Sequence, residues 1–293
     1  MFMIIGLVVV IGSVLGGFSI AGGNIPVLFH VSEIVCICGT SLGTVIISTP
    51  PHTLKALNKD LMSLLKPDPF NKALYLDSLK LLFELFTTAQ RDGMVAIEGH
   101  IENPDESALF LKYPNVLHHH HAVIFLCDSL RLVLMGSVAP HDLDMMMDAD
   151  IELHHHEEEE TVTVLTNVTD GLPGIGIVAA VLGIIVTMSY ISGPVEYIGH
   201  KVAAALTGTF LGVLLAYGFT GPIATLLGKR KATEGAYYGF LKAAVTAAAK
   251  DSTPMISAEL ARRAVASNVR PSFGEMEEAC QSVKKSVAEA KAA

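Results

Sequence analysis

The chain has 293 residues, of which 51% are hydrophobic and 17% charged, with a mean hydropathy of +0.49. Soluble domains carry roughly 45–50% apolar and about 25% charged residues, so an ordinary soluble fold is excluded and membrane insertion is expected. The net charge of −9, carried mainly by residues 142–160, excludes nucleic acid as a partner.

Four windows contain no Asp, Glu, Lys or Arg: residues 1–32, 34–54, 171–195 and 202–228. Each offers the roughly 20 apolar residues that cross a bilayer. Transmembrane helices are therefore predicted at 1–22, 31–50, 171–193 and 202–227. The first is not read as a signal peptide, because no Lys or Arg precedes its apolar run and no clean small-x-small cleavage site follows it. Lys55 and Lys59 follow the second helix, and Lys229, Arg230 and Lys231 follow the fourth. The loop between the first two helices has no Lys or Arg, and the loop between the last two has only Lys201. The positive-inside rule then makes residues 51–170, the tail 228–293 and both termini cytoplasmic, with both short loops facing outward.

The middle segment reads as helical. From Lys72 to Arg91, Leu74, Leu79, Leu82, Phe83, Leu85 and Phe86 approximate one apolar face. A break is expected at 102–106, with a new helix starting at Pro104, and a second apolar run covers 116–135. A third helix is expected through Met145, Met146 and Met147; residues 161–168 alternate only weakly before the third membrane helix. In the tail, 232–250 is alanine-rich and helical, Pro254 interrupts, 257–267 resumes the pattern and Arg270 to Phe273 opens the last helix. The predicted class is all-α: a polytopic membrane protein with four transmembrane helices, a helical cytoplasmic domain over 51–170 and a helical tail over 228–293.

Catalysis finds no support, so no enzyme and no cofactor are expected. Gly-x-Ser-x-Gly, a Walker-type loop and H-E-x-x-H are all absent. The runs His118 to His121 and His154 to His156 invite metal. Consecutive helical residues point about 100° apart, however, so one run cannot place three ligands on one ion. No metal site is expected and the histidines are read as a solvated surface; a metal-sensing scaffold is the weaker alternative. Cys36 and Cys38, on different faces of one helix, are read as free thiols, as are Cys127 and Cys280. Gly208-x-x-x-Gly212 and the other small residues of the membrane helices predict close helix packing or oligomerisation.

In the third and fourth membrane helices the polar groups are Thr187, Ser189, Tyr190, Thr207, Thr209 and Tyr217, none of which ionises near neutral pH. Any ion crossing here would need a carboxylate from a partner. A self-contained channel is disfavoured for the same reason. Pro173 and Pro222 each remove a backbone donor and free an upstream carbonyl, which either creates a local polar spot or merely starts or bends a helix.

The segments Gly171-Leu-Pro-Gly-Ile-Gly-Ile-Val-Ala-Ala-Val181 and Gly208-Thr-Phe-Leu-Gly-Val-Leu-Leu-Ala-Tyr-Gly-Phe219, with Ile101 to Ser107, Tyr113-Pro114 and Arg270 to Phe273, resemble the MotA family of flagellar stator subunits over nearly the whole chain. The resemblance implies a pentameric ring of such subunits around two copies of a MotB-like partner, whose membrane helix carries the ion-binding aspartate. It implies a bacterial inner-membrane location and an ion path lined or coupled by Pro173, Ala180, Thr209, Tyr217 and Pro222. Sodium-driven relatives place a threonine at the Ala180 position, so alanine favours protons over sodium. A FliG-like rotor protein would meet the cytoplasmic domain through charges. Glu98 matches the family's acidic position, whereas the usual arginine falls on Gln90 and the charge sits next door on Arg91. The alternative within the same group is an ExbB/TolQ-like motor subunit, typically with three membrane helices rather than four.

Overall fold

The computed structural model describes residues 2–292, with side chains through Lys285. The described residues contain helices and no strand. They are α1 (Phe2–Ile20), α2 (Val31–Ser48), α3 (Pro51–Ser63), α4 (Lys72–Asp92), α5 (Glu98–Glu102), α6 (Pro114–Leu117), α7 (His120–Met135), α8 (Pro140–Met188), α9 (Val195–Leu214), α10 (Gly221–Ala249), α11 (Pro254–Ala264) and α12 (Phe273–Ala292). Two compact units result: residues 1–67 with 157–230, and residues 68–156 with 231–293.

The first unit holds the membrane-type helices. Four helical spans are long and apolar enough to cross a bilayer: Phe2–Ile20, Ile25–Ser48, Pro140–Met188 and Val195–Ala249. Its buried apolar core is small, formed by Ile37, Leu172, Ala179 and Ala216, while Ile4, Val8, Val35, Leu42, Ile46, Ile177 and Ile185 lie exposed. This pattern suits helices whose outer faces meet lipid. Polar contacts gather at α3. Thr53 donates to Glu160 (2.9 Å), Thr161 donates to Asp60 (2.8 Å), and Arg230 donates to the Ser63 and Lys66 carbonyls at 2.5 and 2.8 Å. The guanidinium thereby satisfies carbonyls that the end of α3 leaves without helical partners.

The second unit has a conventional core. Asn71 caps α4, its side chain accepting from the Ala73 and Leu74 amides. One face of α4 then buries Leu74, Tyr75, Ser78, Leu79, Leu82, Leu85 and Phe86, against Tyr237, Phe240, Leu241, Ala258, Ala261, Met276 and Cys280. Ser78 and Tyr237 share a 2.6 Å hydrogen bond inside this core. The last helix opens with a reciprocal cap, since the Glu275 amide donates to Ser272 Oγ and the Ser272 amide to the Glu275 carboxylate.

Two local expectations change, and a third stretch resolves as helix. No helix starts at Pro104. Ser107 Oγ instead accepts from the Leu109 and Phe110 amides and bonds His100, holding a turn before a short 3-10 segment at Phe110–Lys112. The run 116–135 breaks at His119, whose ring leaves helical register to pack on Phe70 (4.9 Å) and Tyr237 (6.0 Å). Residues 161–168 are fully helical inside α8. There Thr161, Thr166 and Thr169 turn their hydroxyls back onto carbonyls of the preceding turn, which satisfies β-branched residues within a helix.

Candidate functional site

The centre of the membrane unit is the hairpin of α8 and α9. Four glycines set its spacing. A Cβ on Gly212 would lie 2.7 Å from the Leu172 carbonyl oxygen and 2.8 Å from Gly176 Cα. One on Gly176 would lie 2.9 Å from the Gly208 carbonyl, one on Gly208 would lie 3.1 Å from the Ala180 amide, and one on Gly183 would lie 2.8 Å from Ala205 Cβ. The backbones therefore touch over almost three turns, a contact that only small residues permit. Gly12, Gly16, Gly39 and Gly43, by contrast, have open space around them within the chain.

Both helices interrupt their hydrogen-bond ladder at the same end of this hairpin. Pro173 lies inside α8 and cannot donate to the carbonyl of Thr169, four residues earlier. In the other arm of the hairpin, α9 passes into a π turn at Leu215–Thr220 before Pro222. The Gly221 amide reaches back five residues to the Ala216 carbonyl, and Thr220 Oγ1 donates to the carbonyls of Leu215 (3.1 Å) and Ala216 (3.2 Å). A proline ring clashes with the carbonyl four residues back, and widening the turn relieves that clash. The two breaks are neighbours, since the Thr169 methyl lies 3.3 Å from where a Cβ on Gly221 would sit. The outcome is an interrupted ladder inside an apolar hairpin: the Thr169 carbonyl loses its helical donor at Pro173, while the Leu215 and Ala216 carbonyls take up the Thr220 hydroxyl.

Pro173 and Thr209 are half-buried, Ala180 is buried against Gly208, and Tyr217 and Pro222 are exposed. In the second unit, Arg91 at the end of α4 and Glu98 at the start of α5 both lie on the surface, either side of a turn at Gly93 with φ 89°. Arg91 is held by a bidentate contact with its neighbour Asp92, which pushes the guanidinium pKa up. Gln90 is exposed and neutral. Arg131, which sequence reasoning did not single out, donates to the Ile101 carbonyl of α5 at 3.1 Å while pairing with Asp128, and so brings a second cation to the helix that begins at Glu98.

Sequence reasoning also missed Glu33. The residue lies within the helix predicted at 31–50 but was given no role; α2 begins at Val31 and carries Glu33 in its first turn. The Glu33 side chain is only 6% exposed and accepts from Ser32 Oγ at 2.6 Å. With His30, His200 and Lys201 it lines a cavity of about 490 Å³ at the far end of the α8–α9 hairpin. The Lys201 ammonium lies over the rings of Tyr190 and Tyr197, 5.9 and 5.4 Å from their centroids.

Comparison with known proteins places this arrangement among motility proteins. Residues 4–93 match the family described as Motility protein A N-terminal, and residues 119–238 match the MotA/TolQ/ExbB proton channel family. Motility protein A of Escherichia coli strain K12 is 36% identical over 284 residues, covering 97% of this chain and 96% of that protein. Chemotaxis protein LafT of Vibrio parahaemolyticus is 32% identical over 273 residues, covering 93% and 96%. Among solved structures, a chain of the C. jejuni MotAB structure superposes with a TM-score of 0.74 at 21% identity, covering 92% of this chain and 98% of that one. A chain of the flagellar MotAB stator complex from Bacillus subtilis gives 0.69 at 21% identity, covering 87% and 92%.

Proposed function

Because the chain belongs to the Motility protein A branch of the MotA/TolQ/ExbB proton channel family, we propose that it is the ion-conducting stator subunit of a bacterial flagellar motor. The observation that carries the mechanism is the pair of adjacent ladder breaks, at Thr169–Pro173 and across 215–222, beside a glycine-tight contact. The ion is a proton, taken up by a carboxylate that a MotB-like partner inserts next to this hairpin. Ala180 offers no hydroxyl to a desolvated sodium ion, and Thr209 and Tyr217 border the path. One charge moving through 100 mV releases about 2.3 kcal/mol, several times thermal energy. Neutralising and recharging the partner's carboxylate changes which face of the hairpin it prefers, and each change steps the ring by one subunit.

The subunits form a ring, five around two partner chains, in the inner membrane with both termini cytoplasmic. Complexes named MotAB with the same fold support the partner and the oligomer. The exposed Glu98, with Arg91 or Arg131 supplying positive charge, faces a FliG-like rotor protein. The ExbB/TolQ alternative stands lower, because the N-terminal match over 4–93 and the α1–α2 pair are features of the flagellar branch.

Complementation tests this reading. The chain and its MotB-like partner are expressed in a motile strain stripped of its own stators, and tethered rotation is recorded while sodium is varied and a protonophore is added. Rotation that ignores sodium and stops with protonophore is expected. Sodium-dependent rotation would overturn the role given to Ala180, and assembled complexes without rotation would move the chain to the ExbB/TolQ type.

A further inference from the structure

Neither histidine run can hold an ion by itself, but the second unit brings one histidine from each run together. The rings of His121, at the start of α7, and His154, on α8, lie 6.0 Å apart, centroid to centroid, and tilted by 32°. A tetrahedral ion about 2.0–2.1 Å from one nitrogen of each imidazole holds two ring centroids roughly 5–6 Å apart. The two rings therefore already stand at bridging separation. They line one cleft of about 190 Å³ together with Asp128, Asp150, Phe125 and Tyr238.

Asp150 precedes His154 by four residues, so both side chains project from the same face of α8 into that cleft. Tyr238 packs edge-on against the His154 ring at 4.6 Å and limits its rotation. A Glu234 carboxylate oxygen lies within 4.8 Å of a His154 ring nitrogen, close enough for a small side-chain rotation to bring it onto the imidazole N–H. A carboxylate behind a ligating imidazole fixes its tautomer and raises its basicity. Glu234 is also 3.8 Å from Lys231. Asp128 is engaged by Arg131 and is left out of the ligand set.

We propose that His121 and His154, with Asp150 as carboxylate ligand and Glu234 orienting the His154 ring, form a binding site for a divalent transition metal of the zinc type. Two imidazoles and one carboxylate with an open fourth position match the ligand set of three-residue zinc sites, and imidazole donors favour zinc, nickel or copper over magnesium or calcium. The bound ion clamps α7 to α8 across the cleft.

The test uses the full chain, purified with its membrane partner in detergent. Zinc is titrated in competition with a colorimetric chelator, and cobalt(II) is added as a spectroscopic stand-in. One site per chain is expected, with the visible bands of a low-symmetry four-coordinate cobalt ion. His121→Ala and His154→Ala should each weaken it at least about tenfold, and Glu234→Gln by about tenfold. The paired variants His118→Ala/His120→Ala and His155→Ala/His156→Ala remove as many histidines but should leave affinity unchanged. Equal losses in those controls would mean that the runs bind zinc as a tag does, and would overturn the proposal. His121→Cys guards against misfolding: it should keep binding and add a thiolate-to-cobalt charge-transfer band, and absence of that band in a folded variant would also overturn the site.

Discussion

Pro222 lacks an N–H, and the carbonyl it would have bonded, on Gly218, sits in a turn widened to five-residue bonds. Pro222→Ala restores the donor and should let 215–222 close into ordinary α-helix. Assembly is expected to persist while rotation falls at least about tenfold, read as tethered-cell speed beside pull-down of the partner. Pro173→Ala should act alike. Elsewhere single side chains report burial. Burial pushes the Cys127 and Cys280 thiols up to about 12, so at pH 8 both should resist alkylation in the folded chain and react in denaturant, as followed by mass spectrometry. Glu259 is held down to about 2, first by its hydrogen bond to Arg262 and then by Arg263. A carboxylate lowered on folding stabilises above its ordinary value near 4.5 and loses that contribution as pH falls from there toward 2. Helicity of the second unit should therefore drop over that window, and Glu259→Gln should flatten the drop. Both prolines were legible in the sequence because the chemistry of proline is local. Glu33 was not, because its burial beside His200 and Lys201 depends on residues far away in the sequence.

At the scale of elements, the α8–α9 contact follows from four glycines whose missing Cβ atoms would collide with backbone. Gly212→Val should disrupt the hairpin, with about 1–3 kcal/mol of overpacking strain, and lower the yield of assembled complex. Gly208-x-x-x-Gly212 and Gly183 announced this contact in the sequence; the opposing Gly176 emerges only from the fold. The apolar periodicity of 72–91 matched α4 because its face is buried by one continuous core. The break at His119 was illegible, since it depends on Phe70 and Tyr237, distant in sequence. The π turn was equally hidden: its cause, Pro222, lies outside it, and the residues Leu215–Thr220 carry no compositional mark. A π turn holds one residue more than the α-helical path it replaces. Deleting one residue within 216–219 together with Pro222→Ala should therefore give a straight helix with both flanks in register. A deletion within 203–206 would instead turn everything downstream by about 100°.

Across the whole chain, the acidic balance and the surface placement of Glu98 predict that the proposed rotor contact is governed by charge. Glu98→Lys should reduce torque several-fold without affecting assembly, and the loss should be partly restored by a charge reversal in the rotor protein. Arg91→Glu should cost less than Glu98→Lys, because Asp92 already engages the guanidinium and Arg131 stands beside α5. Composition and charge-free windows made the membrane class legible, since lipid imposes length and apolarity on every span. The metal-capable pairing of His121 with His154 was not legible, for it joins residues 33 positions apart in the sequence. The unfilled space beside Gly12, Gly16, Gly39 and Gly43 has a thermodynamic meaning. Helices α1 and α2 keep surfaces shaped for a backbone that their own chain never supplies, and lipid tails fill such hollows poorly. Folding and association are then linked by mass action, so the thermal midpoint in detergent should rise with protomer concentration. In the proposed assembly stability is shared between protomers, and a solitary subunit is the unfinished half of an equilibrium.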